Sequence, residues 1–382
     1  MTLIIDIHAL QTVPPSLINR DDTGAPKTAV FGGVPRQRVS SQAWKRAIRK
    51  FFKDSSGAES IGKRSRNLPE VIIKKAMEIS PGLSETDAVE RLKNLFKATA
   101  KNNKEKGISL KESKKNEDDA EGDAHSYPTT EALLFLSSQQ IERAARAIVE
   151  KENGKFTKDE AEKFLNTAHS IDMAMFGRML AGAPNYNIDA SVQVAHAIGV
   201  HESEPEFDYF TAVDDVTEDR EETGAAMIGT VQMMSSTLYR FASVNVEALA
   251  ENLGDAEAAR QAVALFVQAF IKSMPTGKQN TFANNTLPEL VYVAVRDTRS
   301  VSLVNAFEEP VASERGGRVQ AAVEALANEE TSIEEAYGMK PLAAFVLGMK
   351  DYATNFEGIA QKVTMPELTS RIEEVLASQE VA

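Results

Sequence analysis

Hydrophobic and polar positions divide the chain into segments with distinct periods. Leu3, Ile5, Ile7 and Ala9 alternate with Asp6 and His8, the period of a half-buried strand. A loop punctuated by Pro and Gly follows, from Pro14 to Pro35. Ser40 or Ser41 can then cap a helix that runs to about Lys53. Residues 54–66 are polar and broken by Gly57 and Gly62. From Leu68 to Leu180 the pattern is mainly helical, interrupted at residues 101–123 by a highly charged stretch without aromatics, expected to be a mobile loop. Gly182, Pro184 and Asn185 end the helical region.

The second half reads differently. Ser191–Val200 predicts a strand, and residues 201–229 are acidic and turn-rich around a short apolar patch, Phe207–Val213. Val231–Val246 predicts a long or bulged strand. Asp255 can cap a helix to Ser273 whose apolar positions Ala262, Leu265, Phe266, Ala269 and Phe270 have helical spacing; Pro275 and Gly277 stop it. Leu290–Val295 is the strongest strand signal and apolar enough to be central. The tail after Pro310 predicts a mostly helical extension packed on the outside. With the irregular stretches set aside, the order is strand, helix, strand, strand, helix, strand. That is the α+β, ferredoxin-like pattern shared by RNA-recognition modules. No internal repeat is visible.

Composition narrows the function classes. At 382 residues the chain exceeds what one compact core usually serves. There is no cysteine, so disulfides and thiolate metal sites are excluded. No apolar run reaches bilayer length, and Met1–Ala9 lacks the features of a signal peptide, so a cytoplasmic protein without membrane partners is expected. The net charge of −13 argues against nucleic acid until its placement is considered. Residues 1–66 hold 12 Lys and Arg against 5 Asp and Glu, which leaves 31 against 51 in the rest. A local basic surface, not the whole-chain sum, decides nucleic-acid binding.

The first helix concentrates that charge. Gln42, Lys45, Arg46, Arg49 and Lys53 fall in one narrow sector; Trp44, Ala47, Ile48, Phe51 and Phe52 fall opposite. A charge run is more often a solvated face. Here no acid occurs from Val39 to Lys53, and a single-sign stripe repels itself unless an anion neutralises it. Gly32-Gly33, near Arg20, Lys27, Arg36 and Arg38, either offers free amides to a phosphate or forms an ordinary turn. Gly277-Lys278-Gln279 has the end of a nucleotide-binding loop but not its start: Lys272 stands where that motif needs Gly, and Gln279 replaces its Ser or Thr. A phosphate contact by Lys278 fits better, with a plain helix-to-strand turn as its competitor. Phe207, Tyr209 and Phe210 either pack into a core, the slightly favoured reading, or stack on bases. Met173, Met175, Phe176 and Met179 pose the same question, most of them reading as core. The five histidines show no metal spacing. Asp21-Asp22 and Asp214-Asp215 could bind magnesium, though paired loop aspartates are more often turn residues.

These segments together are similar to a known family. Ile18–Asp22, Ala29–Gly33, Val39–Lys50, Ala195–His201, Asp208–Asp215, Tyr239–Asn245, Gly277–Ala283 and Ser302–Glu308 resemble, in order, the CasC (Cse) backbone subunit of the type I-E CRISPR Cascade complex. Residues 54–170 and the tail beyond 310 carry little of the likeness. The resemblance implies an RNA-recognition-like palm (1–60 and 186–310), a helical fingers insertion (61–185), a β-hairpin thumb (201–229) and the C-terminal extension (311–382). It implies a multicopy, non-catalytic protein without cofactor or metal. Its partners would be CRISPR RNA, target DNA paired to that guide, further copies of itself and other Cascade subunits. Arg20, Lys27, Ser40, Gln42, Lys45, Arg46, Arg49 and Lys278 would contact phosphate or ribose. Tyr209, Phe210 and Thr211 would meet a kinked base from the thumb, and Met179 from the fingers. Lys151, Lys155, Lys158 and Lys163 would touch target DNA, with a solvated surface as the competing reading. The related type III subunits cleave RNA with an aspartate, so a metal-dependent ribonuclease using Asp21, Asp22 or Asp214 is the alternative.

Overall fold

A computed structural model describes residues 2–100, 107–111, 127–213, 225–312 and 317–379. Strand β1 (Ile4–Ser16) precedes the hairpin of β2 (Thr28–Phe31) and β3 (Val34–Val39), then α1 (Ser41–Ser56). Next come β4 (Lys63–Ser65), α2 (Leu68–Ile79), α3 (Glu85–Lys97), β5 (Leu110–Lys111), β6 (Thr129–Thr130), β7 (Leu134–Leu136), α4 (Ser138–Glu150), α5 (Lys158–Leu165) and α6 (Ile171–Phe176). Strands β8 (Val192–Val194), β9 (Ala197–Gly199), β10 (Glu206–Val213) and β11 (Ala225–Asn245) lead to α7 (Val246–Leu253), α8 (Ala256–Lys272), α9 (Gln279–Phe282) and β12 (Leu290–Arg296). The chain closes with α10 (Val319–Tyr337), β13 (Ala343–Gly348), β14 (Gln361–Lys362) and α11 (Met365–Ser378).

The chain divides into two compact units. The first holds Met1–Phe51, Gln193–Glu247 and Arg260–Ala382; the second holds Phe52–Val192 and Ala248–Ala259.

The first unit is built on one sheet in the order β14-β13-β12-β1-β11-β9-β3-β2, with β10 paired to β11. β1 lies between two antiparallel neighbours, Ile4 pairing with Asn245 of β11 and with Arg296 of β12. Its alternation sends residues to two covered faces. Leu10 joins Tyr239, Leu290, Tyr292, Leu326 and Phe356 in one core; Val13 joins Val39, Trp44 and Leu238 in another. Because α10 covers the first face, Asp6 and His8 are fully buried, so β1 is not the half-exposed strand its polar positions predict. Arg296 gathers the buried charges there: it donates to Asp6 at 3.2 Å and to both Glu330 oxygens at 2.7 and 2.8 Å.

Two further expectations are corrected in this unit. The Pro14–Pro35 loop contains the β2–β3 hairpin, whose turn is Gly32-Gly33 with φ of 59° and 79°, the pair of left-handed residues a two-residue hairpin turn demands. A Cβ on Gly32 would lie 1.6 Å from the Glu308 carbonyl oxygen, and buried Arg36 donates to the Phe31, Gly199 and Phe307 carbonyls. This glycine pair is thus a packed turn, and Arg36 is part of its support, not a loop cation. Ser191–Val200 is split into β8 and β9, Ala195 N bonding the Phe241 carbonyl. The C-terminal extension is mostly helical, as expected, and its apolar run Ala343–Gly348 adds a strand beside β12. A short buried run looks alike as helix or strand until an open sheet edge is known to await it.

In the second unit α2, α3, α4 and α5 enclose Ile72, Ile73, Leu92, Phe96, Ile141 and Phe164. Ser137 and Thr157 form reciprocal capping boxes at the heads of α4 and α5. Residues 107–111 of the expected loop are anchored, with Ile108 buried in this core; the rest of that charged stretch lies outside the described residues.

The pH response of the first unit follows from His8. Its ring is packed against Tyr239, Phe241 and Tyr292, and burial, then the Arg296 charge, hold its pKa well below 6.5. The unfolded chain takes up that proton and the folded chain does not, so stability falls as pH drops below about 6.5. His8→Phe is expected to reduce the loss of melting temperature between pH 7.5 and 5.5; an undiminished loss would contradict this account.

Candidate nucleic-acid interface

Helix α1 begins where the Ser40 hydroxyl accepts the Ala43 N–H at 3.4 Å. Trp44, Ile48 and Phe52 are buried, while Gln42, Arg46 and Lys53 are exposed, so the apolar and basic sectors read from sequence are the inner and outer faces. Lys45 and Arg49 are half-buried and also interact within the chain. The helix is seated by Arg240 of β11, whose guanidinium lies 3.7 Å from the Trp44 ring and 4.4 Å from the Phe270 ring of α8. Arg240 donates to Gln11 Oε1 at 2.6 Å and to the Phe270 carbonyl. Burial lowers its pKa to about 9, which leaves it cationic near neutrality.

Two further segments close on the head of this helix. The Asn19 side chain accepts Ser40 N–H at 2.8 Å, and its carbonyl accepts Lys27 N–H at 3.1 Å. Arg20 pairs with Pro26 across the intervening turn. Asp21 Oδ1 accepts from Thr23 N, Thr23 Oγ1 and Ala25 N at 2.9, 2.8 and 3.0 Å. The Thr23 hydroxyl chiefly holds the Asp21 carboxyl below its usual range. Asp21 is therefore engaged as a turn residue; Asp214 and Asp215 lie outside the described residues. From the other side Gly277 packs so closely that a Cβ there would lie 2.4 Å from the Ile18 carbonyl oxygen. Next to it, exposed Lys278 takes a left-handed φ of 50° at the head of α9. Arg20, Lys27, Ser40, Gln42 and Lys278 are thus gathered about the Ile18–Ser40 junction, and Lys45, Arg46 and Arg49 continue along α1. The positioning residues Asn19, Gln11, Arg240 and Gly277 have no charge-pattern signal in the sequence.

β10 and the first half of β11 form an antiparallel ribbon, Phe210 opposite Gly229 and Thr211 opposite Ile228. Phe207 is 68% exposed, Tyr209 63% and Ile228 60%, which corrects the expectation that these aromatics pack into a core. Phe210 lies over Gly229, where a Cβ would meet its ring at 2.4 Å. In the second unit Met173 and Met175 are buried but Met179 is 78% exposed. It follows Arg178, whose buried guanidinium donates to the Leu165 and Tyr186 carbonyls and to Gln140. Lys155, Lys158 and Lys163 are exposed; Lys151 is paired with Glu160 at 2.6 Å, a bond that with the Thr157 backbone pulls the glutamate to about 2.

The model of the CT1975-like protein family matches residues 5–371. The chain belongs to the CT1975-like family. Among solved structures, it is 34% identical to a chain of a CRISPR RNA-guided surveillance complex described as pre-nicking, covering 98% of this chain and 99% of that one with a TM-score of 0.81. A second CRISPR RNA-guided surveillance complex contains a chain 29% identical, covering 98% and 100%, with a TM-score of 0.74. No curated protein matches. These matches bear out, at the level of CRISPR surveillance-complex subunits, the resemblance carried by the motif string. They also extend it over residues 54–170 and the tail, where the motifs show little.

If the Ile18–Ser40 junction is organised as described, Asn19→Ala leaves the buried Ser40 N–H without its acceptor. The expected cost is about 1–3 kcal/mol, read by urea denaturation; a change indistinguishable from zero would contradict the role given to Asn19.

Proposed function

We propose that this CT1975-like chain is the backbone subunit of a type I-E CRISPR Cascade complex, a non-catalytic protein that coats CRISPR RNA in several copies and presents the guide to target DNA. The observation that carries the reading is the junction where the Arg20–Lys27 turn, the head of α1 and Lys278 converge, tied by Asn19 and Gly277. Cations set along a helix grip phosphates whatever the base sequence, which leaves base pairing to supply specificity. The segment order β12-β1-β11-β9, with α1 and α8 packed by Trp44 and Phe270 on one face, supports a ferredoxin-like, RNA-recognition-like palm. The other face lies under α10, so on this reading the sheet does not read bases as ordinary RNA-recognition modules do.

The β10–β11 ribbon is the thumb of the proposal, its exposed Tyr209, Phe210 and Thr211 pressing on a displaced base. The second unit is the fingers, offering Met179 as a wedge and Lys155, Lys158 and Lys163 to target DNA. Function in the cytoplasm, beside other copies and other Cascade subunits, follows from the same reading. The engagement of Asp21 in its own turn supports a binding role over RNA cleavage.

Reversing charge with Lys45→Glu and Arg49→Glu is expected to abolish RNA-dependent assembly, and undiminished RNA affinity in a filter-binding titration would refute the proposal. For the unaltered chain, log affinity should fall by roughly 0.7 per neutralised phosphate for each log unit of salt. Bound RNA should remain intact with magnesium; cleavage lost in Asp21→Ala would instead establish a ribonuclease.

A further inference from the structure

The paired strands β3 and β9 carry a group of basic side chains beside the head of α1. Arg38 of β3 donates through Nε to the Thr28 carbonyl at 3.2 Å, and its Nη1 lies 3.1 Å from His196 Nδ1. A guanidinium offers only donors, so Nδ1 is the unprotonated nitrogen and the imidazole proton sits on Nε2. His196 is exposed, one residue past the Val39–Ala197 pair, at the level where Ser40 opens α1. Lys27 belongs to the same group, its carbonyl accepting Arg38 N–H at 2.9 Å. Desolvation, then the charges of Arg38 and Lys27, lower the His196 pKa.

We propose that Lys27, Arg38 and His196 form a phosphate-binding site at this strand pair, which takes one backbone phosphate of a bound RNA and takes up a proton on His196 as it does so. This rests on the RNA-binding reading above. With the site free, protonating Nδ1 would remove the acceptor of Arg38 and set three positive groups side by side. A phosphate supplies the missing acceptors: Arg38 turns its Nη1 from the imidazole to a phosphate oxygen, and Nδ1, now protonated from solvent, donates to another. No covalent bond to a heavier atom forms or breaks. Among the described residues, Lys27, from the turn before β2, and Arg38, from β3, are the charged groups that act on His196. Thr28 of β2 contributes only a carbonyl. Affinity for RNA must then rise as pH falls, by up to about tenfold per unit for one linked proton, and level off once the free imidazole is itself protonated.

The test uses the full chain and a short RNA oligonucleotide at constant ionic strength from pH 5.5 to 8.5. The unaltered chain should bind more tightly at the acid end, and calorimetry in two buffers of unlike ionisation enthalpy should count proton uptake on binding. His196→Gln should bind with a flat pH profile and no such uptake. Arg38→Gln should lower the salt slope by about 0.7, one phosphate contact. A pH profile shared by His196→Gln and the unaltered chain would overturn the inference, as would absence of proton uptake in the unaltered chain. Either result, alongside loss of binding in the Lys45→Glu, Arg49→Glu chain, sinks this site alone; retained binding in that chain sinks the broader reading.

Discussion

The position of the basic helix depends on one buried cation. Arg240 reaches from β11 between the rings of Trp44 and Phe270, and burial lowers its pKa. A charge in that position needs hydrogen-bond acceptors and contact with its flat faces to offset the loss of water. Gln11 takes Nη1, the Phe270 carbonyl takes Nη2 and the two rings take the faces, while Nε is buried without a partner. The same Gln11 donates to the Thr286 carbonyl at 2.8 Å, beyond the loop that follows Lys278. One side-chain chain therefore fixes α1, α8 and the approach of the Gly277 turn relative to the central strand.

The two faces of the sheet settle their charges in different ways. Under α10, Arg296 is matched by Asp6 and Glu330, with the Ser300 hydroxyl and the Val301 N–H also donating to Asp6. Burial raises the pKa of Asp6 against the pull of those partners. On the face of α1, one cation is enclosed by π surfaces and further cations are set outward. A chain of net charge −13 can in this way hold a local basic surface while the rest of it repels polyanions.

Within the proposed reading, division of labour follows from the chemistry of each surface. Lysines and arginines see phosphates alike on any sequence, and the apolar ribbon of Phe207, Tyr209 and Ile228 gives unstacked bases a surface of no sequence preference. The turn at Asn19 and the tight approach of Gly277 do not touch a ligand in this scheme. They hold apart by fixed amounts the cations that do.

The sequence by itself determined the elements with a strong local period: α1 with its inner and outer sectors, the capped helix α8, and the central strand β12. It also determined that basic charge is concentrated before residue 67, because these properties belong to neighbours in the chain. Much of the candidate interface was legible for the same reason, as Arg20, Lys27, Lys45, Arg46 and Arg49 stand out by charge alone. Tertiary structure decided the rest. Arg36, Arg38 and Arg240 are alike in sequence, yet one is buried under carbonyls, one faces an imidazole and one lies between rings. Asp6 and His8 read as a wet face until α10, over three hundred residues away, covers them. Whether an arginine is structural or available, and whether the run Ala343–Gly348 is strand or helix, depends on partners distant in the chain, and no local period encodes those.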